Sequence, residues 1–267
     1  MLSELRCALA FFLVISLFSL SVPAQTSATG TTETITIRVN EGTNLAFDLA
    51  PDGRSIALDL LGQLWLMPAS GGTARPITDA VRDNAEDLDP SFSPDGRRVV
   101  FRGERNGRTG LWLLDLKSGG PRQLTQLSNP DGYDGNAAWS SDGQTIAFAR
   151  VVPPDAPGSR PHSAIVLFDV ASGTQRDLAI TGLPNPYVSD PMFLQGGKEI
   201  AFVNRIPLRD RGGRIWIVAA AGGQARPLTE ESVSALSPAF APDGRRLAYF
   251  ASDSSDRMQV WVQEKVK

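Results

Sequence analysis

The sequence predicts an all-β fold, a β-propeller of four-stranded blades, and two repeated signatures predict it. The first is a Pro-Asp-Gly turn or a variant of it, which occurs five times. Its Asp, or the Gly196 that replaces it once, recurs at spacings of 43, 47, 54 and 47 residues. The second is a short apolar strand, followed in the first four repeats by a Gly turn. Repetition at about 40 to 50 residues, with short strands joined by Gly turns, is typical of propeller blades.

The turn motif predicts a tight hairpin between the first two strands of each blade. In the second repeat, Pro94-Asp95-Gly96 precedes the apolar run at residues 99–101. Proline has the backbone angle φ that such a turn requires, and glycine supplies its left-handed residue. Each copy therefore joins two antiparallel strands.

The second signature predicts the two outer strands of each blade. In the second repeat it consists of Leu111-Trp112-Leu113, a Gly-Gly turn and an Arg-Gln-Leu-Thr segment at residues 122–125. One tryptophan position recurs in four repeats, at Trp65, Trp112, Trp216 and Trp261. Such regularity indicates packing between blades rather than a ligand cage.

These repeats resemble the WD40-like PD40 repeat of TolB-like propellers over residues 44–263. The segments 41–48, 60–65 and 83–90 are most similar in pattern to the amino-terminal propeller of secreted bacterial proteins that continue into a metal-dependent amidohydrolase domain. This sequence ends at Lys267 without the His-x-His ligands of that domain. We therefore expect no hydrolase activity of that kind from this chain.

The predicted organisation is a signal peptide at 1–24, a polar spacer at 25–32 and the propeller at 33–267. Arg6 precedes an apolar run at 8–20, and small residues precede Gln25, as in secretory signals. The only cysteine, Cys7, lies in that signal. The predicted mature protein is therefore free of disulfides, without a membrane span, and exported to the periplasm. The repeats are expected at about 44–78, 87–125, 136–181, 190–229 and 237–263.

The number of blades has two alternatives. The fifth repeat shows three strands, and residues 33–39 alternate polar and apolar side chains as a half-buried strand does. That strand could complete the fifth blade and close a ring of five. The other alternative is an incomplete ring of six or more blades.

Binding is expected on one face of the propeller. The Pro-Asp-Gly and Gly-Gly turns lie together on one face, where they are nearly uniform. The connections from second to third strand and the links between blades lie on the opposite face, and their lengths diverge, most of all at 150–163 and 204–213. Variable loops on a rigid scaffold commonly bind ligands.

The candidate binding residues come from those connections and links: Asp87, Asp89, Arg105, Tyr133, Asp134, Tyr187 and Asp190. Asp89, Asn136, Asp190 and Ser237 occupy matching places at the start of inner strands, so they should surround the mouth of the central channel. The competing interpretation is structural, because short polar side chains before a strand often satisfy turn amides.

Composition argues against several function classes. The net charge of −3 does not fit a general nucleic-acid binder. With one histidine, His162, and no cysteine after the signal, neither a hydrolase triad, a zinc site nor another metal or cofactor site is expected. The leading prediction is a monomeric, non-catalytic module that binds a protein or peptide. The alternatives are the truncated recognition part of an amidohydrolase or peptidase fusion, and a glycosidase that uses Glu86, Asp89, Asp134 and Asp190.

Overall fold

The structure is a computed structural model that describes residues 45–105, 107–127, 131–154, 161–205, 213–230, 234–241, 245–252 and 257–264. The predicted signal peptide, the spacer and the strand at 33–39 lie outside the described residues. Apart from one short parallel pair of strands, the described part is built of antiparallel sheets, as the repeats predicted. Within it, no helix has the length and apolar character that a membrane crossing requires.

Five consecutive groups of strands form five blades, and all but one of the strands of the last two groups belong to one seven-stranded sheet. Blade 1 contains β1 (Phe47–Leu49), β2 (Ser55–Leu60), β3 (Gln63–Pro68) and β4 (Arg75–Pro76). A one-turn helix, α1 (Ala80–Asp83), leads to blade 2, which contains β5 (Ala85–Phe92), β6 (Arg98–Arg105), β7 (Arg108–Asp115) and β8 (Arg122–Gln123). Blade 3 contains β9 (Tyr133–Trp139), β10 (Thr145–Val152), β11 (His162–Asp169) and β12 (Gln175–Asp177), and β13 (Ile180–Thr181) follows it.

The last two blades complete the series. Blade 4 contains β14 (Val188–Leu194), a 3-10 turn (Gln195–Gly197), β15 (Glu199–Arg205), β16 (Gly213–Ala219), β17 (Gly223–Gln224) and β18 (Arg226–Pro227). In it β18 pairs with β16, whereas β17 pairs in parallel with β13. Blade 5 contains β19 (Ala235–Phe240), β20 (Arg246–Ser252) and β21 (Met258–Glu264). A single pairing, Gly213 with Ala235, joins β16 to β19.

The Pro-Asp-Gly hairpins form as the sequence predicted. Gly96 and Gly143 have φ angles of 67° and 68°, in the left-handed region that glycine adopts without strain. The amide of Gly96 donates to the carbonyl of Ser93 at 2.8 Å, and that of Gly143 to Ser140 at 2.9 Å. The fifth copy, at 242–244, lies outside the described residues.

An irregularity recurs in the inner strands. Asp89, Asp190 and Ser237 have φ angles of 53°, 51° and 46°, and each precedes a proline. The pairing register of their strands shifts at the same places, which is the signature of a β-bulge. Each bulge turns the start of an inner strand, so these three residues have equivalent backbone environments.

Each blade packs on the next through alternate side chains of its strands. Phe101 and Leu64 are fully buried in the interface of blades 1 and 2, and Phe148 and Leu111 lie in that of blades 2 and 3. Trp216 lies in the cluster between blades 3 and 4, with 8% of its surface exposed. The core is therefore a series of sheet-to-sheet interfaces.

Among the described residues, apolar side chains are exposed at both ends of this series. On blade 1, Phe47 and Leu49 are 70% and 51% exposed, and on blade 5, Val260 and Val262 are 63% and 62% exposed. Ile215 and Ile217, which occupy in blade 4 the positions of Val260 and Val262, are at most 2% exposed because blade 5 covers them. In the described residues, blades 1 and 5 therefore do not bury these faces against each other.

Candidate binding site

The side of the propeller with the divergent loops, here called the loop face, contains a cavity between blades 3 and 4. It lies where β9 and β11 begin and β10 ends, next to the start of β14 and the end of β15. Strand direction alternates in an antiparallel sheet, so these five ends meet at one edge. The cavity, here called the cleft, has a volume of about 320 Å³.

The cleft combines an apolar floor with aromatic and polar walls. Ala149, Val151 and Val188 line its floor, and Tyr133 and Tyr187 line its sides. The polar lining groups are Asn136, His162, Ser163, Ser189, Asp190 and Arg205. An apolar cavity with a few converging polar groups is the usual form of a site for a small ligand or a side chain.

A hydrogen-bond network holds the polar wall. Oδ1 of Asp190 accepts a hydrogen bond from Nδ2 of Asn136, and its Oδ2 accepts one from the Ser189 hydroxyl at 2.8 Å. Nε of Arg205 donates to that hydroxyl at 2.9 Å, while its Nη2 lies 3.7 Å from Oδ2 of Asp190. Ser189 therefore connects the arginine to the aspartate.

Ser163 of blade 3 forms hydrogen bonds to the backbone at the start of blade 4, beside the cleft. Its hydroxyl donates to the carbonyl of Val188 at 2.7 Å and accepts from the amide of the same residue at 2.6 Å. Its own amide donates to the carbonyl of Pro186 at 2.9 Å. These bonds hold β11 of blade 3 beside the start of β14, so the cleft has fixed walls.

A second cavity, of about 310 Å³, lies among the inner strands and is lined by one segment from each blade. Its polar lining residues are Asp48, Asp89, Ser91, Asn136, Asp190 and Ser237. Four of these are the residues that the sequence grouped at the channel mouth. Asn136 and Asp190 line the cleft as well, so the two cavities share this wall.

The sequence comparison agrees with the repeats. The family model PD40, described as the TolB beta propeller domain, matches residues 21–153. The resemblance to TolB-like propellers is confirmed. A search of curated protein sequences finds no match.

Solved structures share the TolB-like fold. TolB from Acinetobacter baumannii is 24% identical with a TM-score of 0.64, and the alignment covers 82% of this chain and 51% of that one. A putative TolB from Agrobacterium tumefaciens is 21% identical with a TM-score of 0.64, covering 82% and 76%. An oligogalacturonate lyase in complex with manganese is 18% identical with a TM-score of 0.59, covering 82% and 61%. The chain thus spans about half the length of the Acinetobacter protein.

Within this TolB-like propeller, three of the seven predicted site residues come together. Tyr133, Tyr187 and Asp190 line the cleft. Tyr133 is 43% exposed, and Tyr187 is half-buried. Asp89 lies in the second cavity, where its carboxylate pairs with Nε of Arg102 at 2.9 Å.

The other three predicted residues form buried ion pairs. Asp134 is fully buried and accepts two hydrogen bonds from Arg150, at 2.7 and 2.9 Å. Asp87 is also fully buried, with Nη1 of Arg105 2.9 Å from its Oδ1. Burial raises the pKa of Asp87, and the charge of Arg105 opposes that shift. Neither pair lines the cleft or the second cavity.

Arg105 is held in place by stacking. Its guanidinium lies 4.0 Å from the centroid of the Trp112 ring, and a Cβ added to Gly103 would lie 2.4 Å from its Nη1. Glycine at 103 therefore leaves room for this arginine. An arginine fixed in this way pairs with Asp87, so this acidic residue is buried rather than exposed to solvent.

The sequence carries no distinctive signal for several residues of the cleft. Ser163 and Ser189 act across a blade boundary, and serine before or within a strand is common. Arg205 is the first of four arginines in one long connection, and of these Arg209 and Arg211 lie outside the described residues. In the described residues no group of three or more metal-ligating side chains occurs.

Proposed function

We propose that this protein is an exported, non-catalytic β-propeller that binds a segment of a partner protein or peptide in the cleft between blades 3 and 4. The observation that carries the proposal is the convergence of Tyr133 of blade 3 with Tyr187 and Asp190 of blade 4, from two separate parts of the sequence, on one cavity. Export to the periplasm rests on the predicted signal at 1–24 and on the similarity to TolB.

The chemistry of the cleft supports a protein ligand. Tyrosine is enriched at the centres of protein interfaces because its ring offers a large contact area and its hydroxyl can still form hydrogen bonds. The floor of Ala149, Val151 and Val188 can receive an apolar side chain, and Arg205 and His162 are exposed at the rim. An apolar centre with a polar rim is the arrangement found in specific protein interfaces.

The bonding of the polar groups supports binding rather than covalent chemistry. The Ser163 hydroxyl is engaged twice by the backbone of Val188. The carboxylate of Asp190 accepts bonds on both oxygens. Groups satisfied in this way fix the shape of a site. Asp134, one of the four candidate carboxylates of the glycosidase hypothesis, is buried against Arg150, where a sugar has no access to it.

The proposal is tested by capture of a partner from periplasmic extract on immobilised protein, followed by measurement of Kd with the purified partner. We expect Tyr133→Ala and Tyr187→Ala each to weaken binding at least about tenfold, because truncating a central aromatic contact commonly costs more than 1 kcal/mol. Trp261→Ala is the control, since Trp261 is an aromatic residue 46% exposed on blade 5 and lines neither cavity. Unchanged affinity in the Tyr133→Ala, Tyr187→Ala double variant, with folding intact by circular dichroism, would contradict the proposal.

A further inference from the structure

We infer that the cleft recognises a peptide in which a bulky apolar side chain lies next to a carboxylate, with Arg205 as the group that binds the carboxylate. This inference rests on the proposed function and adds the chemical class of the ligand. It is carried by a difference between Arg205 and three other described arginines, Arg102, Arg105 and Arg150, which pair closely with aspartates.

Three other described arginines near this face are closely paired with aspartates. Arg102, Arg105 and Arg150 each lie between 2.7 and 2.9 Å from an aspartate oxygen, and their side chains are 31%, 11% and 21% exposed. Their charges are thus used within the fold. Arg205 is 3.7 Å from Asp190, beyond hydrogen-bond distance, and its side chain is 48% exposed.

Arg205 is nevertheless positioned. Its Nε donates to the Ser189 hydroxyl, which in turn donates to Asp190. Asp190 is further held by Asn136. Among the described residues, no hydrogen bond is formed by Nη1 or Nη2 of Arg205, so both terminal amino groups can donate at the cleft. A guanidinium with two such groups matches the two oxygens of a carboxylate.

The apolar part of the cleft lies beside this cation. Tyr133 and Tyr187 line the same cavity as Arg205, with Val151 and Val188 beneath. A cavity of about 320 Å³ is near the small end of ligand sites, which begin at about 300 Å³. It therefore fits one large side chain with its neighbouring group. Two kinds of peptide place a carboxylate next to a bulky apolar side chain. In one, the apolar residue is the last residue of the chain, and in the other, it is followed by an internal Asp or Glu.

The experiment measures fluorescence anisotropy with four fluorescein-labelled peptides of one Ser/Gly background. The first ends in Phe as the free acid, and the second ends in the same Phe as the amide. The third carries internal Phe-Asp and the fourth internal Phe-Asn, both amidated at the end. The first pair reports a terminal carboxylate and the second pair a side-chain carboxylate.

We expect at least one acidic peptide to bind about tenfold more tightly than its neutral partner. Arg205→Gln should reduce that ratio to about one, and Tyr187→Ala should weaken both members of the pair. The matched control is Arg226→Gln, because Arg226 is also 48% exposed and lies 3.7 Å from an acidic oxygen, that of Glu199 on blade 4. The control should retain the tenfold ratio.

Several results would overturn the inference. One is equal binding of acidic and neutral peptides by the unaltered protein. Another is a preference for acid that persists in Arg205→Gln. The third is tighter, Arg205-dependent binding of a galacturonate oligomer, which would assign the cation to an acidic sugar. If no peptide binds while partner capture still depends on Tyr133 and Tyr187, the inference fails and the proposed function stands.

Discussion

Two serine hydroxyls hold the aspartates of the tight turns. Ser93 donates to Asp95, and Ser140 donates to Asp142 at 2.6 Å. These hydrogen bonds are the largest cause of the lowered pKa of both aspartates, and backbone amides two residues further along add to the effect. Each hydrogen bond favours the charged form, so folding is coupled to ionisation at these turns.

This coupling predicts a loss of stability in acid. An aspartate of an unfolded chain has a pKa of about 3.9. Because the folded pKa of Asp95 and Asp142 lies below that value, their contribution is present above about pH 4 and is lost as the pH falls through the folded pKa. The double variant Asp95→Asn, Asp142→Asn should therefore show a smaller fall in Tm than the unaltered protein between pH 6 and pH 3.

The control for this measurement is Asp52→Asn. Asp52 holds the same turn position in blade 1, where Ala50 replaces the serine, so no serine hydroxyl donates there. This variant should retain most of the acid dependence. An acid dependence that is the same in the double variant and the unaltered protein would show that these two aspartates do not contribute to it.

At the scale of the strand, a threonine joins the third and fourth strands of three blades. Thr78, Thr125 and Thr229 are buried and accept the amide hydrogen of Leu64, Leu111 and Ile215 at 3.0, 2.9 and 3.1 Å. Each stands at the end of an Arg-x-Ile/Leu-Thr segment. The two-residue outer strands form few backbone pairs, so this bond extends their attachment.

Thr125→Val should lower the free energy of unfolding by about 1 to 3 kcal/mol, because it keeps the volume but leaves the buried amide of Leu111 without its acceptor. Urea denaturation measures the change. Thr109→Val, at a half-buried position of β7, the strand that contains Leu111, is the control and should stay within about 0.5 kcal/mol. Equal effects at the two positions would contradict the role of the hydroxyl.

Elements of this fold could be predicted because local chemistry determines them. The Pro-Asp-Gly turn requires a left-handed glycine, and the structure has one at Gly53, Gly96 and Gly143. The partners of buried charges could not be predicted. Asp87 and Asp134 resemble Asp190 in sequence, but each forms a buried ion pair with an arginine of the neighbouring strand. Arg150 lies directly opposite Asp134, and Arg105 lies two positions along the strand from the residue opposite Asp87. Such pairing depends on register and on side-chain direction, which composition does not encode.

At the scale of the whole molecule, packing distinguishes the ends of the blade series from its interior. Tyr133 and Tyr187 could be placed on one face because blade topology fixes where every link lies. Whether blade 5 meets blade 1 depends on small rotations between blades, added over the series. No sequence motif indicates the total rotation over the series of blades. The exposure of Phe47 and Val262 in the structure does indicate it.

The same substitution at two valines tests this difference. Val203 of blade 4 is fully buried against blade 5, whereas Val262 is 62% exposed. Val203→Ala should lower the free energy of unfolding by about 2 kcal/mol, through lost burial and a residual cavity. Val262→Ala should change it by less than about 0.5 kcal/mol. A cost at Val262 equal to that at Val203 would show that this face is covered in solution.

The wall formed by Asn136 and Asp190 has a consequence for any molecule that enters the propeller. Asn136 and Asp190, which are joined by one amide-to-carboxylate hydrogen bond, line both the cleft and the second cavity. A guest that draws the Asp190 side chain toward one cavity removes it from the lining of the other. We therefore expect a ligand in one cavity to alter binding in the other through the position of the Asp190 side chain.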